Sequence, residues 1–542
     1  MIPALLLALL VQAAPPQEPK PAGEPMQDAV PVRDRWGIPF PEYFLNQPGR
    51  FPDPYRQNVL KGDYPIVGQN VFMVLTARSD TAVEARTLPV PSGASTAGGS
   101  RPDFFGGGEQ WAVTQDLAVT LELYHGETSF RPRTWELRAT AAGNVNHVDV
   151  LENAVVKPDV RDGTDRTDHH LALQEALVEV HLADLSDTYD FVSLRAGIQP
   201  FVSDFRGLLF SDTNLGARLF GTFASNRIQW NLAAFDPLEK DTNSGLNTDR
   251  RRDQLVWVGN VYVQDFLWPG YTAQLSVHGS HDNGEIHYDD NKFLVRPAFM
   301  GTIRAHDVDA VYAGWAGDGH IGALNLTHAI YAAFGRDEFN PLAGRETDIQ
   351  AYLAALELSY DADWVRGRVS FLWASGDRDP TDDTATGFDS IFESPNFAGG
   401  AFSFWNRQAI KLQGVDLVNR NSQLPALRSS KSQGQLNFVN PGLFLANLGL
   451  DAEVLPEVKA VFNANLLWFQ DTRSLELFTF QPRIDREVGF EISLGLVTRP
   501  LLNNNVLLTA GASGFFPGEG FKDLYESSDP LYSVFAQLTL IY

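Results

Sequence analysis

Arg366 and Arg368 stand two residues apart in the run VRGRVSFLW, flanked by Val365, Gly367, Val369, Phe371 and Trp373. In an extended chain alternate residues point to opposite faces, so both guanidiniums occupy the polar face of one strand. That strand carries no acid on the same face. The pair is therefore the strongest single place in the sequence for contact with a carboxylate or phosphate, which arginine grips through a planar fork of donors. The same alternation places Arg138, Arg195, Arg218, Arg227 and Lys459 on polar faces as cations, and Asp116, Glu122, Glu136, Glu179, Glu357 and Glu491 as anions. The two sets nearly balance. They fit an electropositive constriction that attracts an acidic solute, or equally a network of ion pairs that stiffens the wall.

Other clusters are weaker. Asp377, Asp379, Asp382, Asp383 and Asp389 offer oxygen ligands to calcium, but their spacing departs from the EF-hand loop and lacks its glycine and terminal glutamate. Solvated outer loops are the simpler reading. Asp165, Asp168, His169 and His170 group donors for a transition metal, yet adjacent histidines on a strand point apart. No metal site and no cofactor are expected. There is no G-x-S-x-G, no H-E-x-x-H and no P-loop, so the chain does not read as an enzyme. The absence of cysteine removes disulfides, thiolate metal sites and cysteine nucleophiles. A net charge of −25 argues against a nucleic-acid partner, which needs a basic surface.

The elements that must position these side chains are strands. Leu117, Val119, Leu121 and Leu123 alternate with Asp116, Thr120, Glu122 and Tyr124, and the same period of two recurs around Trp135–Ala141, Val192–Gln199, Arg227–Ala234, Tyr271–His278, Val458–Trp468 and Phe490–Leu496. A soluble sandwich alternates too. Three features favour a membrane barrel: aromatic residues at the ends of apolar faces, segments of about 10–14 residues, and connections that alternate short and long. Short turns fall near Leu185–Asp190, Ser225, Leu267–Gly270, Gly317–His320, Asp361–Asp363, Asp451–Glu457 and Pro500–Asn505. Long polar links fall between them, the longest being Gly376–Gln435. With that stretch as one loop, the fold is an all-β transmembrane antiparallel β-barrel of about eighteen strands. A strand at Phe402–Gln413 would make nineteen and break the even count of bacterial barrels.

Ahead of the barrel, residues 1–13 read as a signal peptide, whose apolar run is too short to span a bilayer as a helix. Residues 14–66 form a proline-rich N-terminal segment, suited to the periplasm or to docking a periplasmic or surface partner. The barrel occupies residues 67–542. Its final strand, SVFAQLTLIY, sets Val534, Ala536, Leu538, Leu540 and Tyr542 on one face. Outer-membrane lipid faces such a surface, and the barrel-assembly machinery is the expected reader of a last strand ending in Tyr542.

Three stretches give the chain a family likeness: Leu194–Gln199 (LRAGIQ), Arg218–Ala234 with its tight turn, and Phe371–Phe392, where a strand runs into the Asp-rich loop SGDRDPTDD. In these the sequence resembles the alginate-export (AlgE-like) group of eighteen-stranded outer-membrane barrels. The resemblance implies a passive, porin-like conduit in the outer membrane of a diderm bacterium, for an anionic solute or an exported polysaccharide. The unmatched N-terminal segment and the long loop keep a second reading open: a plugged barrel that anchors a surface or periplasmic complex.

Overall fold

The structure, a computed structural model, describes residues 58–90, 105–126, 132–408, 427–428 and 430–542. The signal-peptide reading and residues 14–57 of the proline-rich segment lie outside the described residues. Eighteen strands make the wall. They are β1 (Val71–Thr87), β2 (Glu109–His125), β3 (Trp135–Val150), β4 (Asp165–Asp184), β5 (Phe191–Val202) and β6 (Ser211–Phe223). Next come β7 (Ile228–Asp236), β8 (Gln254–Val263), β9 (Tyr271–Asp282), β10 (Val308–Ile321), β11 (Leu324–Asn340) and β12 (Arg345–Ala362). The circuit ends with β13 (Val365–Ala374), β14 (Leu443–Leu455), β15 (Val458–Phe469), β16 (Glu487–Thr498), β17 (Val506–Pro517) and β18 (Leu531–Ile541). Each pairs antiparallel with the next, and β18 closes on β1 from Arg78↔Ile541 to Arg86↔Ser533. No edge remains unpaired around the circuit, which is the condition for sheet in hydrocarbon.

The alternation predicted from sequence sets the faces. Leu117, Leu137, Leu171, Leu232, Leu448 and Leu494 point outward and are exposed, Leu171 by 79% and Leu494 by 60%. Such a belt on a closed barrel faces lipid, and the protein sits in the outer membrane of a diderm bacterium. Among the described residues no helix is long and apolar enough to cross a membrane. Turns on one side are tight. The β6–β7 turn carries Ala224, Ser225 and Asn226 at φ of 56°, 58° and 63°. The Asp190 carboxylate holds it by accepting the Ser225 and Asn226 backbone N–H groups at 3.1 and 3.0 Å. The turn expected at Gly317–His320 forms instead at Gly322 and Ala323, because β10 runs on to Ile321.

Lys61–Val67, whose residues 61–66 the sequence assigns to the extended N-terminal segment, is a short strand paired with the start of β1 through Lys61↔Val74 and Val67↔Val71. It covers the part of β1 that β18 does not reach. Asn58 Nδ2 donates to the Tyr542 hydroxyl at 3.3 Å, and the Lys61 ammonium lies 4.0 Å from the centre of that ring.

The described part of the long connection between β13 and β14, residues 375–408, 427–428 and 430–442, turns inward. Within it Gly400–Phe402 is a 3₁₀ turn and α1 (Phe404–Arg407) is a single helical turn, so the alternative strand at Phe402–Gln413 does not form among its described residues. Phe388, Phe397, Phe404, Trp405, Phe438 and Val439 from this insert form one apolar cluster with residues of β7, β8 and β10–β18. The wall answers with apolar inward residues: Ala310 and Tyr312 on β10, Tyr331 and Ala333 on β11, and Ala351 and Leu353 on β12, each 1% exposed or less. One half of the lumen is thus filled around a hydrophobic core centred on β10–β12, with buried polar inward residues of β9 and β14–β16, among them Gln274, His278, Asn463 and Glu491, at its flanks. The other half, from β18 through β7, keeps polar inward residues.

Candidate functional site

The polar half of the lumen is the site. Its side chains come from the inward face of each strand: Asp80, Glu84 and Arg86 on β1, Thr114 and Asp116 on β2, Asn144 and Asn146 on β3, Arg166 on β4 and Gln537 on β18. With Arg407 of the insert and Asn243 and Ser244 of the β7–β8 loop, they line a cavity of about 300 Å³.

The insert is held to the barrel at both ends of α1. Glu491, inward on β16 and fully buried, accepts the backbone N–H of Phe404 at 3.2 Å and of Trp405 at 2.7 Å, and takes Asn465 Nδ2 at 2.5 Å. Arg407 donates to both oxygens of Glu84 at 3.1 and 3.0 Å. Gln408 donates to Glu84 as well and accepts Arg86 Nη1 at 3.0 Å. A second, shorter link, residues 203–210 between β5 and β6, also enters the lumen. Ser203 O accepts Gln274 Nε2 at 2.5 Å, and Asp204 takes the Tyr331 hydroxyl at 3.1 Å. Phe210 bridges to Phe392 of the insert. Deeper in the insert, Asp389 binds Arg428 Nε at 2.6 Å and Lys431 Nζ at 3.4 Å. Burial pulls the Arg428 guanidinium down, but Asp389 and Glu393 outweigh it and hold Arg428 above its usual range.

Most polar-face residues predicted from sequence do turn inward, and most are paired. Arg138 reaches Glu136 at 2.9 Å, Glu122 at 3.3 Å and Glu175 at 3.7 Å. Arg195 meets Glu179 at 2.5 Å, Lys459 meets Asp451 at 3.0 Å, and Asp116 accepts Asn144 Nδ2 at 2.6 Å. Glu357 binds Arg206 of the inward β5–β6 link at 2.7 Å. Two placements change. Arg227 is not in the lumen: it lies exposed in the β6–β7 turn, because β7 starts only at Ile228. Arg366 and Arg368 are not free cations, since neighbouring strands supply the acids their own strand lacks. Arg366 pairs with Asp361 on β12, and Arg368 lies 3.6 Å from Asp451 and 3.9 Å from Glu357 while donating to Asn463 at 2.6 Å.

Arg218 differs. It donates to Asn231 at 2.7 Å and stacks 4.4 Å from the Phe220 ring, with no ion pair among the described residues. Arg166, which the sequence reading missed, also has no ion pair there. It donates once, to Asn146 at 3.2 Å, and its Nε and Nη1 are buried without a partner. The signal for Arg166 was its parity with His170 and Ala172 on β4, obscured by an irregularity in register at Thr140/Ala141.

The Asp-rich stretch does not converge. Asp379 and Asp382 cap their own turns through Thr381 and Thr384, and no member joins a metal-capable group among the described residues. Asp377 is buried with Oδ2 unpartnered, and burial pushes its carboxyl up to about 7.

No family model matches the chain, and no curated protein matches it. Solved structures are similar in fold. Pseudomonas aeruginosa OccK5 (OpdH) is 13% identical over 86% of this chain and 98% of that chain, with a TM-score of 0.45. For P. aeruginosa OccK7 (OpdD) the identity is 10%, the coverage 87% and 98%, and the TM-score 0.47. A BenF-like porin from Pseudomonas fluorescens Pf-5 is 10% identical over 86% of this chain and 98% of that chain, at a TM-score of 0.45.

Proposed function

We propose that the protein is a passive, non-enzymatic channel of porin type whose path follows the polar half of the lumen and favours small anionic solutes. One observation carries this reading. Arg166 and Arg218 face that half without an ion pair among the described residues, whereas Arg78, Arg133, Arg138, Arg195 and Arg407 each have one. Guanidiniums with no carboxylate in contact, beside low-dielectric walls, focus a positive potential on a passing carboxylate. Reversal potentials of the purified protein in a salt gradient test it. Wild type should prefer anions, and Arg218→Gln with Arg166→Gln should lose that preference.

The exported-polysaccharide version, which rests on the alginate-export likeness, calls for a path long enough to thread a chain past the insert. A plugged anchor is the second reading, favoured by the hydrophobic core that fills the other half. A bilayer that stays sealed at every voltage would select the anchor. Docking of a partner on the proline-rich segment belongs to that second reading, and removal of residues 15–54 tests it by pull-down.

A further inference from the structure

Beside the lumen cavity, two small hairpins in the outer loops meet, the first of them carrying the lining residues Asn243 and Ser244 in its turn. Leu238–Lys240 pairs with Asn247–Arg251 in the β7–β8 loop, and His287–Tyr288 pairs with Leu294–Arg296 in the β9–β10 loop. Their meeting brings one carboxylate oxygen each from Glu239 and Glu285 and one ring nitrogen of His287 within 4.8 Å of one another. Arg296, fully buried, bonds one oxygen of each carboxylate at 2.6 Å. One guanidinium against two carboxylates leaves a deficit of one positive charge. Glu239 is 5% exposed, and its Oε2 is buried with no partner; so is His287 Nε2. A buried carboxylate oxygen and a buried imidazole nitrogen facing no donor call for a cation or a water to complete them.

We propose that Glu239, Glu285 and His287 bind a divalent transition cation, Zn²⁺ foremost, that ties the two outer loops together. Imidazole with two carboxylates is a ligand set of borderline hardness, which suits Zn²⁺ and not Ca²⁺ or Mg²⁺. Tetrahedral zinc sets its ligand atoms roughly 3.4 Å apart, so side-chain rotation closes the existing spacing. Arg296 takes the outer oxygens and orients both carboxylates, the part second-sphere partners play in metal sites. The root of the lumen insert rests on the same place: Arg296 Nε donates to Gln433 O at 3.1 Å, and Gln433 Nε2 to Lys240 O at 2.8 Å. The cation therefore fixes the outer mouth.

The full chain, folded in detergent and stripped with a chelator, is titrated with zinc chloride by calorimetry. Wild type should bind one equivalent more than Glu285→Gln and His287→Asn, or bind that equivalent at least tenfold more tightly. Glu285 is about half exposed, so its amide variant keeps the packing; heat-modifiability on gels confirms a folded barrel. Zn²⁺ should also protect residues 237–253 and 283–307 from protease in wild type and not in the variants. Equal stoichiometry and affinity in all three proteins would overturn the site. Calcium or magnesium binding as tightly as zinc would overturn the role of His287.

Discussion

Arg407→Met isolates the latch between insert and wall. Methionine keeps an unbranched stem over the Phe535 ring, where the guanidinium now sits 3.6 Å from the centroid, and deletes only the charge and its donors. Two charge-assisted hydrogen bonds to Glu84 are lost, each worth about 1.5–3 kcal/mol. Ser533 Oγ at 2.8 Å and Gln408 still serve the carboxylate, so the lower bound applies, about 3 kcal/mol. That matches the cost of removing one partner of a buried pair, and it shifts the ratio of docked to released insert by roughly 150-fold. Urea unfolding of the detergent-folded barrel measures the first number. Glu84→Gln completes a double-mutant cycle, in which the coupling should be about 2 kcal/mol. Because Arg407 lines the cavity, the single variant should also show a larger mean conductance with added open-channel noise. A coupling below about 0.5 kcal/mol, the range of exposed pairs, together with unchanged conductance, would refute the latch.

Asp377 gives a pH dependence. Its folded pKa of about 7 lies above the unfolded value near 3.9, so the folded state binds the proton more tightly. The resulting stability is fully present below about pH 4 and is lost as pH rises through 7, up to about 4 kcal/mol. Melting temperatures at pH 5.5 and 8.5 should differ in wild type and converge in Asp377→Asn. Leu494→Arg, on the lipid face, should destabilise the barrel by about 2–4 kcal/mol at mid-bilayer, read from unfolding in lipid vesicles. Arg218→Gln should lower anion preference with little change in stability, whereas Arg368→Gln should do the reverse by stripping Asp451 and Glu357 of a buried partner. Paired reversal-potential and unfolding measurements separate the two.

The wall was legible because one face of each strand must tolerate lipid, which writes period two into the chain. Leu117, Leu448 and Val534 could not be apolar by accident at alternate positions. The partners of Arg366 and Arg368 were not legible. They come from β12 and β14, and strand register is a property of the closed sheet that no single segment encodes. The filled half did leave a trace. Midway along β10–β12 the inward positions are Ala310, Tyr312, Ala329, Tyr331, Ala351 and Leu353, where a water-lined wall would carry Asn, Thr or charge; toward the tight-turn end Asp318, Thr327 and Glu357 make that face polar. A strand apolar on both faces has to be covered on both, and lipid covers only one. Tyr312 keeps its hydroxyl satisfied by donating to Asp389 O at 2.9 Å, which ties its identity to the insert.

The insert also acts on closure of the barrel. Strands β1 and β18 are the most distant in sequence, so their pairing bears the largest loop-closure entropy in the fold. Glu84 belongs to β1 and Ser533 to β18, and the two side chains bond each other at 2.8 Å across that seam. Gln408 donates to Ser533 Oγ at 3.2 Å and to Glu84, while Arg407 donates to Glu84. One end of α1 therefore contacts both edges of the seam, and the other end is fixed to β16 by Glu491. A docked insert bridges β16, β18 and β1 and brings the last strands to the first. The polar path and the closure seam lie on the same side of the lumen because the residues that close the barrel must be reached from inside, by polar groups of the insert.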